Sequence, residues 1–362
     1  MVTWYNNIRK EGIIMAKRVI LGMSGGVDSS VAAYLLQKEG YEVVGVSFRF
    51  IDEFDDTDAK KVAEKLGIEH FTADYREEFK KLVIDKFIDA YKMGITPNPC
   101  VECNRHVKIK FLYDEMIKHN CDYMATGHYA KIKNDKLYRS ADLNKDQTYF
   151  LCEVPFKMIS KLLFPLEGIS KDEVRKIAEE IGLDVAHKKD SFDVCFINSN
   201  FREYINNEIK SNKGDIINVE TKEKMGEHDG ISHYTIGQRR GLDIGGTSGR
   251  TYVVGKDTNK NILYIAIGDD NEYLMSDECL LENVNLISYH HPTFATAKLR
   301  YRSKEIPVEL EYLEDEKMLV KYGSGAIGVT PGQTCALYLG EECIGGGTIK
   351  EVRKNGEKLW YL

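Results

Sequence analysis

The chain has 362 residues, 43% of them hydrophobic and 30% charged, with a formal net charge of −7. That length exceeds one ordinary core and predicts two or three domains, while the composition excludes a disordered or fibrous protein. The acidic total also excludes a chain coated in basic charge for nucleic acid, although a local patch is enough to attract phosphates.

The opening stretch, MVTWYNNIRKEGIIMAKRVI, lacks the long apolar core and small-residue cleavage site of a secretory signal. No apolar run approaches the roughly 20 residues that span a bilayer. The expectation is a cytoplasmic protein with no membrane partner. Met15, two residues before the basic pair Lys17–Arg18, is a candidate start, which makes residues 1–14 a frayed extension. With no export signal, the eight cysteines are expected to be reduced rather than paired in disulfides.

The first half alternates short apolar runs with helical patterns, as a parallel sheet covered by helices does. Arg18–Met23 reads as a buried strand and Ser29–Gln37 as an amphipathic helix ending near Gly40. Glu42–Phe48 is the next strand, and Asp56–Leu66 the next helix. Arg76–Tyr91 predicts a longer helix, broken by Gly94 and by the prolines of Thr96–Cys100 (TPNPC). Asp122–Thr126 is a further strand, ending at Gly127–His128. Ser170–Ile181 is a well-marked helix: Ser170 can cap it, Glu173 stands at the capping-box position, and Gly182 is the stop.

Past about Asn207 the texture changes. Residues 213–249 are rich in glycine and turn residues, with an extended piece at Gly214–Val219. From about Cys279 the strand-like runs Thr296–Tyr301, Val308–Leu313, Met318–Tyr322, Thr334–Leu339 and Ile344–Val352 follow without helical patterns, which predicts a small β-barrel or sandwich. The expected division is an α/β domain with a doubly wound parallel sheet over 15–207, a small central domain over 208–276 and a C-terminal β-barrel over 277–362.

Ser24–Ser29 (SGGVDS) lies between a buried strand and an amphipathic helix. Gly25 and Gly26 permit a tight turn and close approach to an anion, and the amides opening the helix face phosphate oxygens. Ser24 and Ser29 add hydroxyl donors, and Asp28 is placed to help hold Mg²⁺ on the phosphates. No Lys-Ser/Thr of the Walker type follows, which disfavours a P-loop NTPase. An ordinary tight strand–helix turn is the competing reading.

Cys100 and Cys103 form a CxxC after two stiffening prolines, and Cys195 lies 92 residues beyond Cys103 (195 − 103). With no second CxxC, a four-cysteine zinc site would need a distant ligand. By spacing alone a structural pair is as compatible as a functional one. Cys121, Cys152, Cys279, Cys335 and Cys343 stand in apolar or strand-like settings and read as packing residues.

The stretches LGMSGGVDSSV, GITPNPCVECNRHVKIKF, ATGHYA, KDQTYFL, KKDSFDVCFI and HYTIGQRRGL, in this order from residue 21 to 242, make the chain resemble the bacterial-type tRNA-specific 2-thiouridylases. That family lies within the PP-loop ATP pyrophosphatases, whose fold is adenine nucleotide alpha hydrolase-like. The resemblance implies ATP bound by Gly22, Met23, Ser24, Gly25, Gly26, Val27, Asp28 and Ser29, with Phe48 and Gly127 nearby. It puts the target base at Asn98, Pro99 and Cys100. It implies tRNA contacts at His128, Lys145, Asp146, Gln147, Arg300, Tyr301 and Gln333. Cys103 becomes the nucleophile and Cys195 the persulfide carrier in 2-thiolation of the wobble uridine, with ATP and Mg²⁺ activating the C2 oxygen. The sulfur comes from a cysteine desulfurase, a relay protein or inorganic sulfide.

Lys188 or Lys189 would then favour the ionised persulfide on Cys195. Arg239, Arg240, Arg302 and Lys304, with Lys108 and Lys110 after the cysteines, read either as solvated charge or as phosphate contacts. Three departures stand out: Cys100 where many members have Asp, Phe48 where Met is usual, and Phe192–Asp193 where a small or polar pair is more common. Cys100 makes a third thiol. With Cys103 and Cys195 it suggests a [4Fe–4S] cluster as a rival means of sulfur delivery. Two further readings remain at this level: a PP-loop amide ligase acting on a small molecule, and a non-catalytic, metal-stapled RNA-binding protein.

Overall fold

The computed structural model describes residues 16–188, 194–197, 200–242, 244–246, 249–287 and 291–362. Met15, Lys189 and Phe192–Asp193 lie outside the described residues. The N-terminal sheet has five parallel strands, in the spatial order Glu69–Asp74, Glu42–Arg49, Arg18–Gly22, Tyr123–Ala125 and Leu162–Leu163. Arg18–Gly22 alternates its side chains between two cores. Val19 and Leu21 pack with Val31, Ala32 and Leu36 on one face; Ile20 packs with Leu112 and Met116 on the other. Burial on both faces is what a parallel sheet requires, and it is why this strand reads as a continuous apolar run.

The strand Glu69–Asp74 (EHFTAD) was not marked by the apolar pattern, because it is an edge strand and none of its residues is buried. The expected helix over 76–91 is present as two α segments, Arg76–Phe79 and Asp85–Lys92, joined by a π turn at Lys80–Ile84. A larger difference concerns the prolines. Pro99 does not stiffen a loop around the cysteines; it opens a helix. The segment runs Pro99–Cys103, a π turn at Asn104–Lys108, then Ile109–Lys118. Proline suits the first helical position, where its missing N–H costs nothing, and Asn98 caps from outside by accepting from the Val101 N–H at 3.4 Å.

The central four-stranded sheet has the order Thr251–Asp257, Ile262–Ile267, Gly214–Asn218 and Lys224–His228. Beyond it, Met275–Leu286, Lys317–Ile327, Ile306–Leu313, Phe294–Lys298, Thr334–Leu339 and Glu342–Lys354 pair in that order. Met275–Leu286 also pairs with Glu342–Lys354, which closes the sheet into a barrel. Closure removes the exposed strand edges. A hairpin, Lys131–Lys133 with Lys136–Tyr138, reaches out of the first domain and adds to Glu342–Lys354. Cys121, Cys152, Cys279, Cys335 and Cys343 are all buried. Among the described residues no helix is long and apolar enough to cross a membrane.

Candidate active site

In the parallel sheet the chain order reverses between Arg18–Gly22 and Tyr123–Ala125. The loops leaving the carboxyl ends of those two strands flank a crevice, the place where open α/β sheets bind ligands. Residues 23–26 lie on one side and residues 126–128 on the other. Gly26 is the N-cap of helix Val27–Lys38 and offers no side-chain hydrogen bond, so the first amides of that helix face outward as anion donors. The Ser29 hydroxyl accepts from the Ser24 N–H at 3.2 Å and donates to the Gly26 carbonyl at 3.1 Å, bracing the loop from inside. Gly127 presses on this brace: a Cβ there would stand 2.8 Å from the Ser29 nitrogen and 2.9 Å from the Asp28 carbonyl carbon. Only glycine fits such an approach.

Asp28, at the first turn of the helix, already has two partners. Lys171 Nζ donates to both carboxylate oxygens at 2.8 Å, and the Tyr129 hydroxyl donates to one of them at 2.8 Å. Lys171 is buried. A metal ion would have to compete with that ammonium for Asp28. Phe48, at the end of its strand, is half-buried and stacks on Phe50, with ring centroids 5.5 Å apart.

The cysteine-bearing helix supplies the second half of the site. Cys103 is buried, while Cys100 and Cys195 reach the surface. Burial pushes the Cys103 thiol up to about 12, against the pull of the Lys108 ammonium and the Lys108 backbone N–H. Cys100 and Cys195 are raised by the same desolvation, and Lys108 again opposes it. Charge on Cys195 raises both other thiols, so the three share one electrostatic neighbourhood. Among the described residues the cation that bears on all three is Lys108, not Lys188. Lys188 Nζ instead donates to Asp58 at 2.7 Å and to the Gly25 carbonyl at 3.4 Å. Among the described residues no three His, Cys, Asp or Glu side chains converge on a point that could hold a metal ion.

His128 belongs to the same neighbourhood. Burial first, and Lys108 second, depress its imidazole to about 3, and Thr126 Oγ1 lies 2.7 Å from Nδ1. It is neutral at physiological pH, so it can offer a hydrogen bond but no positive charge. Gly127 on the phosphate loop and His128 within the field of Lys108 thus join the two halves of the site through adjacent residues.

The remaining residues implied by resemblance are largely engaged inside the protein. Asp146 is buried and accepts from Thr148 Oγ1 at 2.7 Å. Gln147 Oε1 accepts from the Tyr129 N–H at 2.9 Å. Lys145 is half-buried. Tyr301 packs against Phe150, with centroids 4.3 Å apart. Arg300 Nη2 donates to the Ile236 carbonyl at 3.1 Å and to Thr330 Oγ1 at 3.0 Å. Gln333 Nε2 donates to the carbonyls of Thr96 and Pro97. Arg239, Arg240, Arg302 and Lys304 are exposed, as phosphate contacts must be. Lys110 pairs with Asp114.

Sequence reasoning missed Lys171 and Tyr129 as partners of Asp28, and gave Lys108 an RNA role only. Lys171 stands inside the capping-box pattern SKDE, which announces a helix start and hides the reach of the next side chain. For Tyr129 no local signal exists.

Three families match the chain in succession: a tRNA methyl transferase HUP domain over residues 17–199, a tRNA methyl transferase PRC-barrel domain over 202–267 and an aminomethyltransferase beta-barrel domain over 276–349. Curated relatives extend over nearly the whole length. The tRNA-specific 2-thiouridylase of Geobacillus thermodenitrificans is 43% identical, covering 95% of this chain and 98% of its own. That of Pediococcus pentosaceus is 44% identical over 94% and 97%, and that of Mycoplasmopsis synoviae 42% identical over 96% and 99%. Among solved structures, a 4-thiouridine synthetase–RNA complex with bound ATP is similar at 16% identity and a TM-score of 0.36, covering 54% of this chain and 50% of that one. That likeness is too distant to carry an argument. The methyl-transfer wording describes the domain families, whereas the near-full-length relatives agree on a different reaction at more than 40% identity. This chain belongs to the tRNA-specific 2-thiouridylase family.

Proposed function

We propose that the chain is an ATP-dependent tRNA sulfurtransferase that 2-thiolates the wobble uridine of the anticodon, in the cytoplasm, with Cys195 carrying sulfur as a persulfide and Cys103 as nucleophile. The observation that carries this reading is the join at Gly127–His128. A phosphate-type loop and a group of three thiols under one ammonium are linked there through neighbouring residues. Adenylation and sulfur transfer need that proximity.

In this reading Ser24–Ser29, with the amides opening Val27–Lys38, would hold the ATP phosphates. Mg²⁺ would supply charge neutralisation there, with Asp28 able to help hold it only in competition with Lys171. Phe48 and Gly127 border the nucleotide. The uridine C2 oxygen attacks the α-phosphorus, pyrophosphate leaves, and C2 gains AMP as a leaving group. The terminal sulfur of the Cys195 persulfide attacks C2 and AMP departs. The Cys103 thiolate then attacks the Cys195 sulfur, and the S–S electron pair passes to the sulfur on the base. The products are 2-thiouridine and a Cys103–Cys195 disulfide, which an external dithiol reduces with two electrons. A cysteine desulfurase or a relay protein hands sulfur to Cys195 from its own persulfide, at the same oxidation level; inorganic sulfide could serve as donor only in the cluster alternative. Asn98–Cys100 receive the base, turned out of the anticodon stack as base-modifying chemistry requires. The exposed arginines and Lys304 meet tRNA phosphates.

The purified protein, given unmodified tRNA, ATP and a persulfide source, is expected to yield 2-thiouridine with equal amounts of AMP and pyrophosphate. Undiminished 2-thiouridine in tRNA from cells lacking the protein would sink the reading. Stoichiometric iron after anaerobic purification would favour delivery through a cluster on Cys100, Cys103 and Cys195 over the simple persulfide route.

A further inference from the structure

The segment Gly94–Asn98 delivers the chain to the cysteine-bearing helix, and it cannot hold itself in place. Pro97 and Pro99 have no N–H to donate, which removes two local donors; the Glu102 N–H serves the Asn98 carbonyl, while the carbonyls of Gly94, Thr96 and Pro97 take side-chain donors from elsewhere. They come from the other two domains. Lys256 of the central sheet donates from Nζ to the Gly94 carbonyl at 3.0 Å. Gln333, at the turn entering the barrel strand Thr334–Leu339, donates from Nε2 to the Thr96 carbonyl at 2.9 Å and the Pro97 carbonyl at 3.3 Å.

The contact at Gln333 is tight. Gly332 sits at φ +88°, and a Cβ there would stand 2.2 Å from Ile95 Cγ2 and 3.0 Å from the Thr96 carbonyl oxygen. Gln333 is itself fixed, because its carbonyl accepts from the Ile349 N–H at 2.8 Å and the Gly332 N–H donates to the Ile349 carbonyl at 2.8 Å. The next residue continues the link: the Thr334 carbonyl accepts from the Tyr149 hydroxyl at 2.9 Å, and Asn98 Nδ2 lies 3.5 Å from that hydroxyl. Asn98 is the cap of the helix that carries Cys100 and Cys103.

We propose that Gln333 is a positioning residue of the thiolation site: its amide anchors Thr96 and Pro97 from the barrel and thereby sets the helix start that presents Cys100 and Cys103. The amide nitrogen of Gln333 faces both of these carbonyls. The resemblance implies an RNA contact at this same position, and the test separates the two roles. The inference rests on the proposed thiolation for its kinetic readout and on thiol chemistry for an independent one.

The test uses the full chain with Gln333→Glu, which keeps the shape and turns acceptors onto the two carbonyls, and Gln333→Met, which only removes the donors. Both are compared with wild type for tRNA affinity, for kcat at saturating tRNA and ATP, and for the rate of Cys100 alkylation by iodoacetamide. For both variants kcat is expected to fall by about tenfold or more, as displacement near the reacting centre predicts. tRNA affinity should stay within about twofold, and Cys100 alkylation should change by about threefold or more. Weakened tRNA binding with kcat and alkylation unchanged would make Gln333 an RNA contact and overturn the proposal, as would wild-type behaviour in all three measurements. If wild type itself makes no 2-thiouridine, the functional reading fails, while the alkylation comparison still decides the anchor. Should Gln333→Glu fail to fold, Gln333→Met carries the same comparison.

Discussion

At the scale of single residues, the charge next to the phosphate loop decides how a nucleotide enters. A carboxylate at the first turn of a helix is favoured by the helix dipole, but it opposes the phosphates that the same helix end attracts. Lys171 resolves the conflict by holding both oxygens of Asp28. Replacing Lys171 with Met leaves Asp28 unneutralised at the site's edge, so the KM for ATP should rise by about tenfold or more, the scale of a lost buried ion pair. Titrating ATP at saturating tRNA measures this, and an unchanged KM would show that the lysine is irrelevant to nucleotide binding. Asp28→Ala is expected to abolish thiolation and leave tRNA binding nearly intact. The thiols follow a similar logic. Lys108 is the cation that opposes burial at Cys100, Cys103 and Cys195. Removing it raises the thiol pKa values further and lowers the thiolate fraction at any given pH. Lys108→Met should therefore slow alkylation of Cys195 at pH 8, and mass spectrometry of the alkylated peptide reads this directly. Because Cys103 is pushed up to about 12, its own alkylation in wild type should keep accelerating to pH 10 without a plateau.

At the scale of elements, what could be read in the chain was whatever is local. The capping box at Ser170 is present in full: Ser170 Oγ accepts from the Glu173 N–H, and Glu173 Oε2 accepts from the Ser170 N–H. Ser170→Ala should cost about 1 kcal/mol of stability. It should also raise the KM for ATP modestly, since Lys171 opens the helix that Ser170 caps, and a calorimetric scan beside the ATP titration separates the two effects. The strand Arg18–Gly22, the phosphate loop and the barrel strands other than Met275–Leu286 were legible for the same reason: apolar period and turn chemistry mark them without reference to anything distant. The edge strand Glu69–Asp74 and the hairpin Lys131–Tyr138 were not, because their stability comes from neighbouring strands rather than from their own pattern. The cysteine helix was misread through its prolines. Two prolines ordinarily break a helix, yet Pro99 stands at the one position that favours it, and only Asn98 in front of it hinted at a start. Within the site, the glycines and cysteines were visible because their chemistry is intrinsic. Lys108, Lys171 and Tyr129 acquire their roles only through partners up to 143 residues away.

At the scale of the whole molecule, the barrel and the first domain are tied by Arg105. Its Nη1 donates to Glu153 at 3.0 Å and to the Asn283 carbonyl at 2.9 Å, so one guanidinium joins the cysteine helix, the segment after Thr148–Leu151 and a barrel strand. Glu153 is almost wholly buried, and desolvation outweighs Arg105 enough to raise its carboxyl from 4.5 to about 7. The sign of the resulting pH dependence follows from proton counting. Between pH 4.5 and 7 the folded state holds a proton on Glu153 that the unfolded state has lost, so stability from this group is full below about 4.5 and declines as pH rises to about 7. Three histidines act in the opposite sense: partial or full desolvation depresses His70, His128 and His228, and they oppose folding as pH falls below their ordinary value. The wild-type profile sums the two, and only a difference isolates Glu153. Glu153→Gln keeps the shape and an acceptor for Arg105 but cannot ionise. Relative to wild type it should gain stability progressively from pH 5 to 7, by up to about 3 kcal/mol if the whole shift is expressed. Parallel melting curves for the two proteins across that range would show Glu153 ionising at its ordinary value, and the burial argument would then be wrong. If the gap opens as expected, the folded state is favoured with Glu153 protonated, even though protonation gives up the ion pair with Arg105. The tightness with which the barrel holds the cysteine helix would then depend on pH across the physiological range.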